Sequence, residues 1–348
     1  MRRPVKRVFR ALALAGIGAL VLAGCGSGAK AIAGPLTVRG TPATSIAVPL
    51  SGVGCTANDV CVAVGSSSAN LGAPAEGEVS TPRGRWLNLA VPPSPSPLFT
   101  SSACAGTQCL FAGSEPGRDL LWSFSTTDGA LTAATPPTGG IGVDALSCSR
   151  TYCALVDTAA NGALRFVSST DAGGTWSAPI ALSWAKGDAV TSLSCSGVAT
   201  CVLSAVTSRS TVSLEVTANA GATWQARPTT GSWSTLGSIH CYRVDCVAVA
   251  TVANTSSLVR TKNLFVRVTV VALGHLANAL ACTTVLSCVA VGQDANGAAW
   301  LATIARDTAS PAVLRYVPTP LLDVACGSAL CAATGVTTLV SVPVTPSS

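Results

Sequence analysis

Histidine and tyrosine are nearly absent from this 348-residue sequence, and charged side chains are few. Only two histidines, three tyrosines and one methionine occur, and Asp, Glu, Lys and Arg together make up 10% of the residues. The motifs G-x-S-x-G, H-E-x-x-H and the P-loop are also missing. With so little imidazole, zinc centres built on histidine are disfavoured. The sequence therefore lacks the usual signatures of a catalytic protein.

Hydrophobic runs long enough to span a membrane are absent as well. The apolar run Ala11–Gly24 follows five basic residues and has only 14 residues, the length of a signal-peptide core. It leads into Leu22-Ala23-Gly24-Cys25, which resembles the bacterial lipobox, where the cysteine is diacylated and becomes the mature N-terminus. We expect residues 1–24 to be a lipoprotein signal peptide, Cys25 to be lipidated and residues 25–33 to form a tether. An ordinary secretory signal with an incidental cysteine is the alternative.

The basic balance of the sequence belongs to the predicted signal peptide. Residues 1–24 contain five positive and no negative side chains, so their removal lowers the formal net charge from +6 to +1. A nucleic-acid partner requires a basic face, and the remaining sequence has none. We therefore expect no binding to nucleic acid.

Cysteine, in contrast, is abundant and regularly spaced. Apart from Cys25, fourteen cysteines form seven pairs, each five or six positions apart in sequence, and the first cysteines of successive pairs are 41 to 49 residues apart. A unit that recurs at a period near 45 indicates a repeat architecture. The pairs are Cys55 and Cys61, Cys104 and Cys109, Cys148 and Cys153, Cys195 and Cys201, Cys241 and Cys246, Cys282 and Cys288, and Cys326 and Cys331.

Disulfides and zinc are the two interpretations of these pairs. An exported chain with an even number of remaining cysteines favours a disulfide framework. Zinc-binding cysteine pairs usually have two to four residues between them, whereas these have four or five, and only His240 and His275 could complete such sites. We therefore predict one disulfide in each unit.

Each unit contains four short strand-like segments. In the fourth unit these are Ser192–Ser194 leading into Cys195, Cys201–Ala205, Thr211–Thr217 and Thr223–Arg227. The third segment alternates apolar and polar residues, which predicts a half-buried strand. Four strands in each of seven units predict an all-β fold, a seven-bladed β-propeller. The last unit has only three segments, so we expect Leu36–Arg39 near the N-terminus to supply its fourth strand and close the ring.

A second motif connects the sequence to a known group of propellers. The segment from Ser169 to Trp176 matches the Asp-box pattern S-x-D-x-G-x-T-W through Ser169, Asp171, Gly173, Thr175 and Trp176. The segment from Thr217 to Trp224 is a weaker copy. These segments resemble the boxes of BNR, or sialidase-type, propellers, in which the box is a structural turn between the third and fourth strands. The resemblance implies a structural role for these five residues.

The catalytic residues of sialidases do not carry over to this sequence. Those enzymes use three arginines, a tyrosine nucleophile and an acidic proton donor on the face opposite the boxes. Here Tyr152 and Tyr242 lie in the cysteine turns, on the box side, and Tyr316 falls in a predicted outer strand. The arginines are scattered without a pattern. We therefore name no catalytic residue.

The loops on the face opposite the boxes are the expected binding surface. Two of them carry tryptophan, in Ser183–Asp188 and Gly231–Thr235, so Trp184, Asp188 and Trp233 are the candidate ligand residues. Aromatic rings beside hydroxyl groups suit a glycan or a peptide. Alternatively, both rings fold back onto the blade edges. His240 is expected to be a hydrogen-bonded residue of the central channel.

Together these features predict a lipid-anchored protein on the extracytoplasmic side of the cell membrane, with one propeller over residues 34–344 and a tail over residues 345–348. We expect a monomeric, non-catalytic binding or assembly scaffold that uses the loops of one face, with no cofactor and no metal ion. Its partner would be an unidentified protein or glycan. The alternative is a glycan-active hydrolase or lyase of the sialidase-like propeller type.

Overall fold

A computed structural model of the chain describes residues 49–66, 75–80, 85–94, 97–229, 231–306, 308–314, 317, 319–336 and 338–344. The regular elements in this part are β-strands, arranged in seven antiparallel sheets. None of the described residues belongs to a helix with the length and apolar character required to cross a membrane. Cys25, the tether, the expected closing strand Leu36–Arg39, Tyr316 and the tail lie outside the described residues.

The sheets follow one another along the chain and are the blades of the propeller. Blade 1 consists of β1 (Leu50–Cys55), β2 (Cys61–Gly65), β3 (Glu76–Ser80) and β4 (Trp86–Asn88). Blade 2 consists of β5 (Leu98–Ala105), β6 (Gln108–Glu115), β7 (Arg118–Ser125) and β8 (Ala130–Ala133). Blade 3 consists of β9 (Gly140–Ser149), β10 (Tyr152–Ala159), β11 (Leu164–Ser169) and β12 (Ile180–Ala181). Blade 4 consists of β13 (Ala189–Cys195), β14 (Cys201–Val206), β15 (Val212–Thr217) and β16 (Gln225–Ala226).

The remaining blades repeat this order. Blade 5 consists of β17 (Thr235–Tyr242), β18 (Asp245–Val252), β19 (Thr255–Lys262) and β20 (Arg267–Ala272). Blade 6 consists of β21 (Leu276–Thr284), β22 (Ser287–Gln293), β23 (Ala299–Ala305) and β24 (Thr308–Val313). Blade 7 has three strands in the described part, β25 (Leu321–Cys326), β26 (Leu330–Gly335) and β27 (Leu339–Pro343). The seven-bladed architecture and the strand order predicted from the cysteine period are confirmed.

A disulfide joins the first two strands of every blade. In each blade the two cysteines are directly opposite in the strand register, with Cα atoms 3.9 to 4.1 Å apart, so the pairing follows from the hairpin itself. A bridge that closes so short a loop contributes about 2 kcal/mol to stability in the chain-entropy estimate. The disulfide interpretation is therefore confirmed for all seven pairs, and the zinc interpretation is excluded for them.

The second and third strands are more buried than a half-exposed sheet would be. All five residues of β2 are buried, and so are the last four residues of β15, Leu214–Thr217. The prediction of a half-buried strand at β15 is thus wrong, because neighbouring blades cover both faces of each sheet. Glu215 accordingly is only 8% exposed, although it occupies a polar position of the alternating pattern.

The hydrophobic core is divided into seven layers, one between each pair of neighbouring blades. Trp122 and Phe111 of blade 2 pack with Val62 and Val64 of blade 1, for example. The layer between the last and first blades contains Leu339 of β27 and Leu50 of β1. Stability therefore comes from contacts between blades, and the ring closes through side-chain packing.

Polar contacts also join blade 7 to blade 1. Asp59, in the cysteine turn of blade 1, accepts hydrogen bonds from the amides of Ala329 and Leu330 at 2.8 and 3.0 Å and from the hydroxyl of Ser328 at 2.9 Å. Nε1 of Trp86 donates to the hydroxyl of Ser341 at 3.2 Å. These contacts between blades 1 and 7 join the first and last blades of the described propeller.

The turns between strands define two faces. In blade 3 the amide of Ala172, between the third and fourth strands, donates to the carbonyl of Thr151 in the cysteine turn at 2.7 Å, and in blade 4 the amide of Ala220 donates to Ala199 at 2.9 Å. The cysteine turns and the turns between third and fourth strands therefore share one face, here called the turn face. The opposite face, formed by the remaining loops, is called the open face.

Candidate functional site

The first strands of all seven blades surround a central cavity of about 1230 Å³. Its lining is rich in serine, threonine and alanine, because these small residues occupy the positions just before the first cysteine of each blade. The hydroxyl groups of Ser51, Ser149 and Ser238 line this cavity and have no hydrogen-bond partner among the described residues. The cavity is consequently a polar space with unused hydrogen-bonding groups.

Other cavity side chains tie neighbouring inner strands together. A side chain three residues before the first cysteine of one blade accepts a hydrogen bond from the amide two residues before the first cysteine of the next. The pairs are Ser101 with Leu146 at 3.0 Å, Ser192 with Ile239 at 2.9 Å and Asp323 with Val53 at 3.0 Å. Ser147 and Ser194, which directly precede a cysteine, accept from the amides of Cys195 and Cys241 at 2.9 Å. These bonds fix the radius of the ring and the shape of the cavity.

A third set of bonds lies at the open-face end of the cavity. Residues four positions before the first cysteine donate to a carbonyl of the next blade: Thr100 to Val143 at 2.5 Å, Thr191 to Leu236 at 2.6 Å and Asn278 to Leu321 at 2.7 Å. The strand register shifts at or beside this position in every blade. Such β-bulges redirect side chains, and here they order the rim of the cavity mouth.

His240 is a structural residue of this cavity. Its Nε2 lies 2.6 Å from the carbonyl of Leu280 in the next blade, and since a carbonyl only accepts, Nε2 carries the proton. Burial lowers the pKa of His240, so the ring is neutral at neutral pH. The prediction that His240 is a hydrogen-bonded channel residue is confirmed.

Asp323 is an acidic group in the wall of the cavity, between blades 7 and 1. Burial raises the pKa of Asp323 to about 6, although the amides of Val53 and Val324 donate to its carboxylate at 3.0 and 2.8 Å. Its carboxylate serves the same inter-blade contact that serine makes elsewhere, so its primary role is to join the blades.

Asp144 lies at the mouth of the cavity, on β9, in contact with solvent. Thr158 donates a hydrogen bond to its carboxylate at 2.7 Å. Desolvation is the main cause of the raised pKa of Asp144, and the negative charge of Asp157 adds to it. Asp144 is the acidic group best placed to contact a molecule that enters the cavity from the open face.

A buried charged cluster, here called the carboxyl pair, lies behind this mouth between blades 2 and 3. It consists of Asp119 and Asp157, with Arg165 beside them. Arg165 donates two hydrogen bonds to Asp157, at 2.8 and 2.5 Å, and a third to the carbonyl of Thr138 at 3.3 Å. Asp157 is fully buried and faces Arg165 directly in the strand register. Two of the three hydrogen bonds of the Arg165 guanidinium therefore go to Asp157.

Asp119 is the unusual member of the carboxyl pair. It is 4% exposed, and its carboxyl oxygens accept no hydrogen bond of ordinary geometry from the described residues. Burial, followed by the charge of Asp157, raises the pKa of Asp119 to about 7, and the two carboxyls can share a proton. A β-carbon at Gly140 would collide with the Asp119 carboxyl, so a larger residue there would displace that carboxyl.

Neither member of the pair, nor Arg165, lines the cavity. A substrate in the cavity would reach Asp144 at the mouth and Asp323 in the wall, but neither Asp119 nor Asp157. Because the carboxylate of Asp323 already accepts from the amides of Val53 and Val324, we do not assign the lining the two opposed carboxylates of a glycosidase. The described residues contain no group of three or more metal-binding side chains that could hold an ion. The lining of the cavity offers hydrogen-bonding groups and the carboxyls of Asp144 and Asp323, and it also includes Arg150 and Arg243.

The residues predicted to form a ligand-binding rim are partly buried. Trp184 packs against the core layer between blades 3 and 4, and Trp233 against the layer between blades 4 and 5. The carboxylate of Asp188 accepts from the amides of Ala185 and Ser208 at 3.0 and 2.9 Å and so stabilises its own loops. Ligand binding by Trp184, Asp188 and Trp233 stays a prediction.

The segment from Ser169 to Trp176 forms a tight turn on the turn face. Asp171 accepts from the amide and hydroxyl of Thr175 at 2.8 and 2.7 Å, which lowers the pKa of Asp171 to about 2. The hydroxyl of Ser169 accepts from the amide of Gly173, whose φ is 91°. The side chain of Trp176 packs against the core layer between blades 2 and 3.

The weaker copy has the same geometry in blade 4. There Asn219 takes the place of the aspartate and accepts from the amide of Thr223 at 2.9 Å, and Gly221 has a φ of 89°. Trp224 contacts Phe166 of the preceding blade, with ring centroids 5.3 Å apart.

Sequence reasoning missed Asp144, Asp157 and Arg165. A signal for the last two does exist, because Asp157 interrupts the apolar strand β10 and Arg165 follows an Asn-Gly turn at the distance that places it opposite. A charge inside an otherwise apolar strand indicates a buried partner. No comparable signal marks Asp144, whose position depends on the bulge.

No known protein-family profile matches the sequence, and no curated protein sequence matches it either. Several solved structures are similar in fold. A structure of YCF48 bound to D1 peptide has a TM-score of 0.61 at 14% identity, over 90% of this chain and 97% of that one. A catalytically inactive virginiamycin B lyase from Staphylococcus aureus with quinupristin has a TM-score of 0.60 at 9% identity, over 88% and 97%.

The WD40 β-propeller domain of Doa1 is also similar, with a TM-score of 0.59 at 10% identity, over 87% of this chain and 94% of that one. Similarity at these identities shows the fold alone. Together with the seven sheets, it establishes that this chain folds as a seven-bladed β-propeller.

Proposed function

We propose that this protein is a lipid-anchored component of the cell envelope, and that its propeller is a non-catalytic scaffold that binds an extended peptide segment at the open-face mouth of the central cavity. In this proposal residues 1–24 are removed, Cys25 carries the acyl chains, and residues 25–33 tether a propeller of the BNR, Asp-box type over residues 34–344. The protein acts as a monomer and needs no cofactor.

The observation that carries the proposal is the composition of the cavity. Its lining includes the hydroxyls of Ser51, Ser149 and Ser238, which have no hydrogen-bond partner among the described residues, and the carboxyls of Asp144 at the mouth and Asp323 in the wall. Asp119 and Asp157 lie behind the mouth and do not line the cavity, and Arg165 donates to Asp157 there. An extended peptide carries an amide and a carbonyl at every residue, and a ring of hydroxyls can accept from and donate to both. That a propeller of similar fold is known in complex with a peptide supports this choice of ligand class.

A glycan-active hydrolase or lyase is the second candidate. The observation that favours it is the convergence of three carboxyls, Asp119, Asp144 and Asp157, near one end of the cavity. A catalytic role would require the buried pair to become accessible, whereas Asp157 is fully buried. We therefore favour binding over catalysis.

Two experiments test the proposal. Intact-mass measurement of protein extracted from membranes should show a diacylated N-terminus at Cys25, and Cys25→Ser should abolish it; an unmodified cysteine would refute the anchor. Photo-crosslinking in membranes, paired with a glycan array, should capture a protein or peptide and show no glycan turnover. Turnover of one glycan, lost in Asp144→Asn, would instead establish the enzyme.

A further inference from the structure

Exposed apolar side chains are concentrated at the turn face of blades 4, 5 and 6. Val198 is 64% exposed, Val266 61%, Val244 46% and Leu286 44%. Tyr242 is 40% exposed beside them, but its hydroxyl donates to the carbonyl of Cys282 at 2.7 Å at the wall of the central cavity. The four aliphatic side chains lie in or beside turns and form separate tips at the surface, and Val198 also borders the cavity.

These tips belong to one continuous surface, here called the apolar tips. The hydroxyl of Ser196, two residues before Val198, donates to the carbonyl of Arg243 in the next blade at 2.6 Å. Within blade 5, the amide of Leu264 donates to the carbonyl of Val244 at 2.8 Å. Since hydrogen bonds join the turns that carry them, the tips of blades 4 and 5 are neighbours.

The same kind of contact extends the surface to blade 6. The guanidinium of Arg260, on β19 of blade 5, donates to the carbonyls of Val285 and Arg306 in blade 6. The amide of Arg306 donates to the carbonyl of Leu286 at 2.7 Å. The apolar tips therefore span three neighbouring blades.

Basic side chains surround the apolar tips. Arg243, Lys262, Arg267 and Arg306 are exposed in or beside these turns, and among the described residues of the same turns Asp245 is the acidic one. An apolar set of tips with a basic border is complementary to a surface that is anionic at its boundary and apolar beneath, which is the profile of a bilayer of anionic lipids.

We propose that the apolar tips dock on the surface of an anionic lipid bilayer and orient the open face away from it. This inference rests on the lipid anchor proposed above. The proposed acyl chains keep the protein at a membrane, so a bilayer is the surface that an apolar face with basic side chains would meet.

Vesicle binding by residues 25–348 with Cys25→Ser tests the surface without the acyl anchor and without residues 1–24, whose basic and apolar side chains would bind anionic vesicles themselves. In that background Val266→Asp with Leu286→Asp removes two tips. The matched control, Ile141→Asp with Val252→Asp, alters two similarly exposed apolar side chains in strands near the open face. Each protein is sedimented with vesicles of phosphatidylcholine alone or mixed with phosphatidylglycerol, and intact mass verifies seven disulfides in each.

We expect the Cys25→Ser chain to sediment with the anionic vesicles and only weakly with neutral ones. The tip variant should bind the anionic vesicles about 30-fold more weakly, since each added carboxylate opposes the attraction of one basic side chain, whereas the control should stay within about twofold. Equal binding by the two variants, equal loss in both, or no sedimentation of the parent would overturn the proposal.

Capture of a soluble acidic protein by the tips, in place of vesicles, would overturn it as well. Failure of the docking surface can be distinguished from failure of the proposed lipid anchor. A native protein without acyl chains refutes the anchor but leaves the vesicle comparison between tip and control variants intact. An acylated protein whose tips make no difference to vesicle binding refutes only the docking surface.

Discussion

Replacing Asp119 by asparagine tests the electrostatics of the carboxyl pair. The pKa of Asp119 is raised to about 7, mainly by burial. Because the folded state binds this proton more tightly than the unfolded state, the contribution of Asp119 to stability is complete below the ordinary carboxyl pKa of 3.8. It is lost as the pH rises toward about 7. Asparagine keeps the shape of the neutral carboxyl and does not titrate.

The expected size of the effect follows from this pKa difference. A pKa shift from 3.8 to about 7 corresponds at most to about 4 kcal/mol of folding free energy. We expect about half of this, because water that enters around the ionised Asp119 would lower the cost of its burial. Asp119→Asn should therefore be close to the parent at pH 4 and more stable by about 2 kcal/mol at pH 8, or about 4 °C in melting temperature.

Thermal unfolding at pH 4 and pH 8 measures this difference, with Asp128→Asn as the control because Asp128 is exposed in a turn of the same blade. The control should show no such pH dependence. If Asp119→Asn had the same effect at both pH values, or destabilised the protein at pH 8, the account of Asp119 as a buried proton-binding group would be wrong.

Three further predictions concern the ring. Intact mass should rise by about 14 Da on reduction, two hydrogens for each of seven bridges, and a smaller rise would mean that some pairs are open. Gly173→Ala should cost about 1–3 kcal/mol in denaturant unfolding, because the residue has φ 91° and a β-carbon there would lie 2.6 Å from Cδ1 of Leu110; an unchanged midpoint would contradict this close approach. Ser194→Ala should cost about 1–3 kcal/mol by leaving the Cys241 amide without its partner, whereas Ser208→Ala on the exposed surface should cost under about 0.5 kcal/mol; equal costs would argue against the inter-blade bonds.

The architecture could be predicted because the cysteines report it directly. Two cysteines at opposite positions of a hairpin mark the same place in every blade, and their period gives the number of blades. The disulfide partners needed no tertiary information, since each pair lies within one hairpin. Much of the fold was therefore present in the spacing of one residue type.

Contacts between blades could not be predicted in this way. The hydroxyl of Ser192 accepts a hydrogen bond from the amide of Ile239 in the next blade. This contact depends on the offset between neighbouring inner strands, and residue spacing within one blade does not determine that offset. The burial of Glu215 likewise depends on the neighbouring blades, so alternation misled the prediction for β15.

Phe265 illustrates how one blade departs from the turn pattern. Its amide donates to the hydroxyl of Thr261, as the amide of Gly173 donates to Ser169, yet its φ is 71°, where glycine is expected. The ring packs against Val202 of the preceding blade, in the place where blade 2 has the larger Leu110. A large residue in the turn is thus matched by a smaller residue in the preceding blade. The sequence of the turn alone does not show this match.

The candidate site was predicted only in part. The sequence indicated the open face, but it pointed to Trp184 and Trp233, whose rings pack partly on core layers. Asp144 at the cavity mouth and the carboxyl pair behind it come from three strands of two blades and meet only in the folded ring. Their convergence requires the bulge in β9 and the glycine at position 140.

Blocking the cavity mouth tests the central claim most directly. Ser51 lines the mouth without a hydrogen-bond partner among the described residues, so Ser51→Tyr should obstruct entry. Thr132→Tyr, on the exposed outer strand of blade 2, is the matched control. We predict that retention of the crosslinked membrane partner falls at least about tenfold for Ser51→Tyr and is unchanged for Thr132→Tyr. Equal retention by both variants would contradict the cavity as the binding site.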